Sequence, residues 1–206
     1  MRSVFIHNNS MQAIFNGIIF TGDRFIYDRA ILVQHGIIEA LVPLSAIPPE
    51  ADRYDLQGNY LVPAFIDLQL YGGNGLLFSQ ALSEEAILAT DAYCVTGGCT
   101  RFLLTLATNS IDVFLKGIAV AKKFLQQQNN TGLLGLHLEG PYINPVKRGA
   151  HLLEHIKQPT VDEVKLLLDK AEGIVKMMTL APEQCSDEVI QLLIDHNVIV
   201  SAGHSN

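Results

Sequence analysis

The stretch that decides the fold is residues 133–151, LLGLHLEGPYINPVKRGAH. It opens with an apolar run, 133–138, whose length is typical of one buried strand. The run ends at Glu139, and the Gly-Pro pair that follows turns the backbone into a loop. α/β proteins place their chemistry at the carboxyl ends of buried strands. The stretch therefore predicts a functional loop that brings His151 close to Glu139, although Glu139 taken alone fits a salt-bridged strand end equally well.

Composition and charge limit the partners. The chain has 206 residues, 49% of them hydrophobic and 17% charged, which is an ordinary balance for one or two globular domains. Its 14 basic and 21 acidic side chains give a net charge of −7, whereas nucleic acid and anionic membrane surfaces require a basic face. We therefore expect neither partner. A phosphorylated small molecule stays compatible, because it needs only one or two well-placed donors.

The cysteines and the apolar runs predict the compartment. The three cysteines are odd in number, and the C-x4-C spacing of Cys94 and Cys99 fits no metal knuckle. Free thiols are typical of a reducing compartment. No apolar run reaches the roughly 18 residues that a bilayer requires, and the N-terminus lacks the apolar core of a secretory signal. The sequence therefore predicts a cytoplasmic protein.

The chain divides into regions of different rhythm. Residues 1–10 fit no pattern and are predicted to be a tail or extension. Short strands separated by turn residues in 11–60 indicate a small β-rich domain, an incomplete sandwich. From 61 to 206 strands alternate with helices, which implies parallel pairing. The predicted strands are 61–67, 100–106, 133–138, 174–180 and 198–202, and the predicted helices are 84–96, 110–127, 161–171 and 187–196.

Three of these helices carry start signals. Ser83 and Ser186 each precede two acidic residues, which suit an N-cap and the helix dipole. Thr160 and Glu163 have the spacing of a capping box.

The alternation fits a doubly wound sheet or a (β/α)8 barrel. No Gly-rich phosphate fingerprint follows the first strand of the region. Gln69, Glu139 and His204 lie at or just beyond the ends of three different predicted strands, and such ends converge on one mouth in a barrel. We therefore predict a partial TIM-type barrel with about five strands. Its open strand edges should make the 206-residue chain unstable or self-associating by itself.

The loop string in residues 137–151, HLEGPYINPVKRGAH, closely resembles the signature of the N-acetylglucosamine-6-phosphate deacetylases of the amidohydrolase superfamily. Residues 61–70, LVPAFIDLQL, and 200–206, VSAGHSN, match the same family. The resemblance runs in order from about Met11 to the last residue and corresponds to the N-terminal portion of the family's length. It implies a metal-dependent barrel enzyme that hydrolyses the acetamide of N-acetylglucosamine 6-phosphate to glucosamine 6-phosphate and acetate.

Glu139 and His204 are the candidate metal ligands. A carboxylate oxygen and an imidazole nitrogen suit Zn²⁺, with Fe²⁺ or Mn²⁺ as alternatives. Hydrolytic sites usually take three protein ligands, and the resemblance places the third, another histidine, beyond Asn206. The alternative for His204 is a strand-end histidine bonded to the neighbouring backbone. His137, inside the apolar run, is predicted to be structural.

Gln69 stands where many amidohydrolases carry the first histidine of a His-x-His pair that binds a second metal. The tripeptide 69–71, Gln-Leu-Tyr, supplies no strong zinc ligand, so the second site is predicted to be absent or degenerate. Some deacetylases of the family also have Gln here, but Tyr71 departs from their usual Asn. The alternative for Gln69 is a satisfied polar group in the barrel mouth.

The resemblance assigns substrate contacts to His151 and to the backbone of Ala150. It places a phosphate-binding arginine and the catalytic general acid–base aspartate beyond Asn206, so the 206-residue chain is expected to be inactive alone. Lys147 and Arg148 are expected to form a solvated loop edge. The expected partners are a phosphorylated amino sugar and, at full length, a second copy in a homodimer.

Two other functions stay open. Another amidohydrolase acting on a cyclic amide requires a two-metal site, for which residues 69–71 supply no histidine. A non-catalytic barrel serving as a scaffold would bind no metal and would tolerate Glu139→Gln.

Overall fold

The computed structural model describes residues 10–128 and 131–206. They form two compact units, which divide between Ala64 and Phe65. The predicted tail, residues 1–10, lies outside the described residues except for Ser10.

The first unit consists of short strands in two small sheets. The strands are β1 (Gln12–Phe15), β2 (Ile18–Phe20), β3 (Phe25–Ile26), β4 (Arg29–Gln34), β5 (Ile37–Pro43), β6 (Asp52–Asp55) and β7 (Tyr60–Leu61). One sheet has the order β5-β4-β1-β6 and the other the order β3-β2-β7. A small cluster of buried side chains forms its core: Ala13, Ala30, Leu32, Ile47 and Ala51. The small β-rich region that the sequence predicts is confirmed.

The second unit alternates strands and helices. Its strands are β8 (Phe65–Leu70), β9 (Gly72–Gly73), β10 (Leu76–Leu77), β11 (Cys99–Ala107), β12 (Leu133–Glu139), β13 (Val175–Leu180) and β14 (Ile199–Ala202). Its helices are α1 (Phe78–Ala81), α2 (Glu84–Thr96), α3 (Ile111–Gln127), α4 (Val161–Ala171) and α5 (Asp187–Asp195). Five strands form one sheet in the order β14-β13-β12-β11-β8, and every pair in it is parallel. The predicted partial barrel with five strands is confirmed, and β12 is its central strand.

Helices cover this sheet closely, so its middle strands are buried. In β12, Leu136 and Leu138 are fully buried, as is typical of a parallel strand covered on both faces. Helix α3 buries Phe114, Ile118, Ala121 and Phe124, which recur at helical spacing on one face. At Gly117 an added Cβ would lie 2.6 Å from a methyl group of Leu106. Glycine is therefore what lets α3 approach β11 at this point.

The predicted helix starts are confirmed, with one difference. The capping hydroxyls of Ser83, Thr160 and Ser186 accept hydrogen bonds from the backbone N–H groups of Ala86, Glu163 and Val189. A capping box would also have the Glu163 carboxylate accept from the backbone N–H of Thr160. Here that carboxylate accepts from the Tyr142 hydroxyl at 2.9 Å and pairs with Lys157. A buried tyrosine needs a partner for its hydroxyl, and the carboxylate serves the loop after β12 instead.

The first strand of the barrel begins later than predicted. The sequence predicts 61–67, whereas β8 spans Phe65–Leu70. Pro63 has no N–H for a strand ladder, and Leu61 before it pairs with Ile19 in the first unit. Gln69 is therefore the penultimate residue of its strand rather than a residue beyond it.

The structure bears on two expectations from composition, one about membrane-spanning segments and one about the cysteines. None of the helices in the described part of the chain is both long enough and apolar enough to cross a bilayer. The three cysteines are unpaired thiols, and Cys94 is buried.

Edge strands β8 and β14 expose large apolar side chains. Phe65 and Ile66 are 67% and 61% exposed, and Ile199 on the opposite edge is 57% exposed. Within the described residues, these strands are the two edges of the sheet. Unpaired edges of this kind invite pairing with another chain. Self-association of the 206-residue chain stays a prediction.

Gly140 joins Glu139 to the functional loop and allows a specific test. Its φ is +80°, and an added Cβ would lie 2.1 Å from the Thr108 hydroxyl oxygen. Gly173 has nearly the same φ, +83°, but open space around it. Gly173→Ala should cost only the left-handed strain, about 1–2 kcal/mol. Gly140→Ala should cost about 1–3 kcal/mol more, because the methyl group overlaps Thr108.

Thermal melting of both variants beside the unchanged chain measures this difference. Equal losses of melting temperature in the two variants would contradict the close packing at Gly140.

Candidate metal centre

Three titratable side chains meet at the carboxyl edge of the sheet. Glu139 is the last residue of β12, His204 lies two residues beyond β14, and His151 lies in the loop between β12 and α4. One ligand atom from each lies within 4.8 Å of the other two. Glu139 Oε1 is 3.3 Å from His204 Nε2 and 3.8 Å from His151 Nε2. The two imidazole rings are edge to face, with centroids 4.6 Å apart.

The tautomer of a neutral His204 follows from its second contact. Its Nδ1 lies 3.0 Å from the Lys147 carbonyl oxygen, which can only accept a hydrogen bond. Nδ1 therefore carries the proton and donates it. In the neutral ring Nε2 then presents a lone pair to Glu139 Oε1, which is also an acceptor. Two facing acceptors at 3.3 Å require a proton or another cation between them. A backbone carbonyl on the distal nitrogen is also the usual setting of a metal-ligating histidine.

The turn that carries His204 is fixed by its own contacts. The φ of His204 is +51°, a left-handed conformation that is unfavourable for a residue with a Cβ. Its carbonyl accepts from the Asn144 N–H at 3.0 Å, and the N–H of Gly203 donates to Leu180 at 2.9 Å. The loop after β12 and the end of β14 therefore hold one another in register at the site.

Glu183 ties the same two segments together through its carboxylate. It accepts hydrogen bonds from the Ser205 hydroxyl at 2.6 Å, the Asn144 side-chain amide at 2.8 Å and the Asn206 N–H at 2.9 Å. These bonds, with Ser205 contributing most, lower the pKa of Glu183 from 4.5 to about 2. The ionised carboxylate is the form that holds the turn.

Donors from the end of β8 surround the Glu139 carboxylate. The residue is 4% exposed. The Gln69 amide donates to Oε1 at 2.9 Å, and the Tyr71 hydroxyl donates to Oε2 at 2.5 Å. Burial and the bond to Glu139 raise the pKa of Tyr71 to about 12. The phenol therefore keeps its proton and acts as a donor at neutral pH.

His151 faces a cavity beside the carboxylate. Its side chain is 10% exposed, and burial lowers its pKa, although Glu139 acts in the opposite direction. A neutral imidazole can accept, donate or ligate. The backbone carbonyl of His151 accepts from Arg148 at 2.8 Å, which fixes the loop. The cavity has a volume of about 280 Å³ and is lined by Tyr71, Ala107, Thr108, Glu139, Ala150, His151 and Leu152.

The structure brings together the residues that the sequence singles out. Gln69, Glu139 and His204 converge, and Ala150 and His151 line the adjoining cavity. Sequence reasoning missed the bond from Tyr71 to Glu139 and the closeness of His151 to His204. A strand places residues two apart on one face, so Gln69 could have indicated Tyr71. No local signal indicates the contact between the two imidazoles.

His137 has the structural role that the sequence predicts. It is 2% exposed, with Nδ1 3.0 Å from the Leu68 carbonyl oxygen and Nε2 2.8 Å from the Thr179 hydroxyl. The Leu68 carbonyl requires a proton on Nδ1, so the ring joins β8, β12 and β13 below the site. Lys147 is exposed, as expected of a loop edge, but its carbonyl orients His204.

Glu183 generates a prediction about pH. A carboxylate whose pKa is lowered by hydrogen bonds stabilises the folded state above its unfolded pKa, 4.5. This stabilisation is lost as the pH falls towards about 2. Glu183→Gln should therefore lower the melting temperature at pH 7, and the difference from the unchanged chain should shrink between pH 4.5 and about 2. Melting curves across this range measure it, with the exposed Glu154→Gln as control. A difference independent of pH would contradict the role of the charge.

Known proteins match both the sequence and this fold. A family model described as the NagA composite domain matches residues 11–61. The N-acetylglucosamine-6-phosphate deacetylase of Haemophilus influenzae is 34% identical over 194 residues, which cover 94% of this chain and 50% of that protein. The N-acetylgalactosamine-6-phosphate deacetylase of a Shewanella strain is 35% identical over 179 residues, covering 86% of this chain and 45% of that protein.

A crystal structure shows the same likeness in three dimensions. The N-acetylglucosamine-6-phosphate deacetylase of Pasteurella multocida is 33% identical with a TM-score of 0.88, over 95% of this chain and 51% of that one. The chain thus spans about half the length of these relatives. In its motifs, sequence and fold the chain is therefore similar to the N-acetylglucosamine-6-phosphate deacetylases over about half of their length.

Proposed function

We propose that the protein represented by this chain hydrolyses the acetamide of N-acetylglucosamine 6-phosphate to glucosamine 6-phosphate and acetate. We further propose that Glu139 and His204 hold one divalent metal ion. The observation that carries the proposal is the 3.3 Å distance between Glu139 Oε1 and His204 Nε2 in a largely buried site. The proposed reaction is taken from the relatives, because three of them are named as deacetylases of a phosphorylated amino sugar.

The donor set fits a divalent transition metal. One carboxylate oxygen and imidazole nitrogens suit Zn²⁺ first, with Fe²⁺ and Mn²⁺ as alternatives. A metal ion held there would supply the Lewis acid that amide hydrolysis needs. The chain's own residues orient that site: Lys147 holds the ring of His204, and Thr108 donates its hydroxyl to the Glu139 carbonyl at 3.0 Å.

We propose that His151 and the backbone of Ala150 contact the sugar. Both line the cavity beside Glu139, and the neutral imidazole can bond a hydroxyl group as donor or acceptor. The 3.8 Å separation between His151 Nε2 and Glu139 Oε1 also permits a role as a third ligand. Metal content distinguishes the two roles.

Gln69 supports a single metal ion. Its amide donates to the carboxylate and to the Tyr71 oxygen at 2.7 Å, so this position serves Glu139 rather than a second metal ion. The third histidine ligand, the phosphate-binding arginine, the catalytic aspartate and the homodimer stay predictions of the resemblance. A longer gene product would test them.

Metal content and acetate release test the proposal together. The 206-residue chain and any longer product of its gene should each bind about one equivalent of zinc, measured by mass spectrometry. Only the longer product should release acetate from N-acetylglucosamine 6-phosphate, since the resemblance places the catalytic aspartate outside this chain. Glu139→Gln should lower metal affinity and acetate release by at least about 100-fold. The matched control is Glu154→Gln, an exposed glutamate in the same loop.

Each competing function has its own result in these assays. No metal and no acetate would favour the scaffold. Two equivalents of metal without acetate would favour an amidohydrolase of cyclic amides. Acetate from N-acetylgalactosamine 6-phosphate in preference to its epimer would place the enzyme with the Shewanella relative.

His151→Gln separates the two roles of His151. If His151 contacts the sugar, metal content should stay within about twofold of the unchanged protein, while the KM of the longer product rises about tenfold or more, as loss of a substrate hydrogen bond predicts. His204→Gln should lose the metal in the same assay. A loss of metal in His151→Gln equal to that in His204→Gln would make His151 a ligand.

A further inference from the structure

We propose that Tyr71 is a positioning residue that reserves one oxygen of Glu139 for hydrogen bonding and thereby limits the centre to a single metal ion. The inference rests on the proposed metal site and goes beyond it, because it assigns a role to the residue in which this chain departs from the motif of its family.

The two oxygens of the Glu139 carboxylate have different surroundings. Oε2 accepts from the Tyr71 hydroxyl at 2.5 Å. Both imidazoles approach Oε1 instead, at 3.3 Å from His204 and 3.8 Å from His151. A carboxylate oriented in this way presents Oε1 to an ion between the rings and holds Oε2 against the phenol.

Gln69 fixes the phenol as well as the carboxylate. Its side-chain nitrogen lies 2.9 Å from Glu139 Oε1 and 2.7 Å from the Tyr71 oxygen. The phenol has only one proton, which it donates in a hydrogen bond to the carboxylate, so its oxygen accepts from the amide. The three groups form a closed triangle in which each side is a hydrogen bond, and such a network restrains both side chains.

The backbone around Tyr71 is held in place. Its carbonyl accepts from the Phe78 N–H at 2.9 Å, which closes the β9–β10 hairpin onto it. The N–H of Leu70 donates to the Thr105 hydroxyl at 3.1 Å. At Gly73 an added Cβ would lie 2.6 Å from Tyr93 Cβ, so the hairpin packs directly on α2. The hydroxyl therefore reaches Oε2 from a supported position.

The consequence concerns the number of metal ions. A carboxylate with both oxygens available can chelate one ion or bridge two. With Oε2 hydrogen-bonded to a phenol, Glu139 offers a single oxygen to a metal ion, and the Tyr71 hydroxyl proton on Oε2 disfavours a second cation there. Outer hydrogen bonds of this kind typically contribute 10–100-fold to metal affinity.

Tyr71→Phe tests the role, because it removes only the hydroxyl. The 206-residue chain and the variant are titrated with Co²⁺, and the visible absorption and the dissociation constant are recorded. The variant should bind its first Co²⁺ about tenfold more weakly, because the carboxylate is no longer oriented, and it should take up a second equivalent where the unchanged chain binds one. Its absorption should also weaken, because the released Oε2 can enter the coordination sphere and raise the coordination number. The melting temperature without metal should be lower than that of Tyr93→Phe, which removes the hydroxyl of a half-exposed tyrosine on α2, because the buried Glu139 carboxylate loses a donor.

A second variant keeps the proposal falsifiable if Tyr71→Phe folds poorly. Tyr71→Gln retains an N–H donor without adding a strong metal ligand and should keep the affinity for Co²⁺ within about threefold of the unchanged chain, whereas a tenfold loss there would contradict the donor role.

The outcomes separate this inference from the proposed function. If the unchanged chain binds one Co²⁺ and Tyr71→Phe matches Tyr93→Phe in affinity and absorption, the role of Tyr71 is wrong and the metal site stands. If the unchanged chain binds no Co²⁺, both the metal site and the role of Tyr71 are wrong.

Discussion

A buried carboxylate at the end of the central strand is the constraint on which the site depends. Removing an ionised carboxylate from water costs several kcal/mol unless donors or cations replace the lost hydration. Glu139 is 4% exposed, and its replacements come from sequence positions far from its own. Gln69 and Tyr71 approach from the end of β8, and His204 approaches from beyond β14. The strands on both sides of β12 therefore have to be in register before this charge is satisfied.

Parallel pairing brings the strand ends that carry these residues to one edge of the sheet. In a sheet whose strands all run in one direction, every carboxyl end lies at the same edge. Two interactions connect these ends. Below the site, His137 links three strands through its two ring nitrogens. Above it, Glu183 and Asn144 join the loop after β12 to the turn after β14. The imidazole of His204 is thus oriented by backbone contacts that are independent of any ligand.

Sequence reasoning found the strand-end residues because their signals are local. An apolar run that stops at Glu139, or an Ala-Gly-His string after a strand, is visible without coordinates. The start of β8 was misplaced because Leu61 pairs with a strand of the first unit, and that pairing is a tertiary fact. Glu163 has the spacing of a capping box, yet a buried tyrosine engages it. The contact between His151 and His204 could not be predicted, since it depends on the path of the whole loop and on a left-handed turn at His204.

The same geometry explains why folding and ion binding should be coupled in this protein. Glu139 and His204 are 65 positions apart and meet only when β12, β13 and β14 are paired. An unfolded chain presents no such pair, so the free energy of binding an ion at the proposed site would be added to the stability of the folded sheet. The donors on Glu139 act before any ion binds, because they compensate the buried carboxylate for lost hydration and hold it in one orientation. Hydrogen bonds from Gln69 and Tyr71 thus let the sheet form with the charge buried, and Oε1, which faces both imidazoles, is the oxygen that we propose for the metal ion.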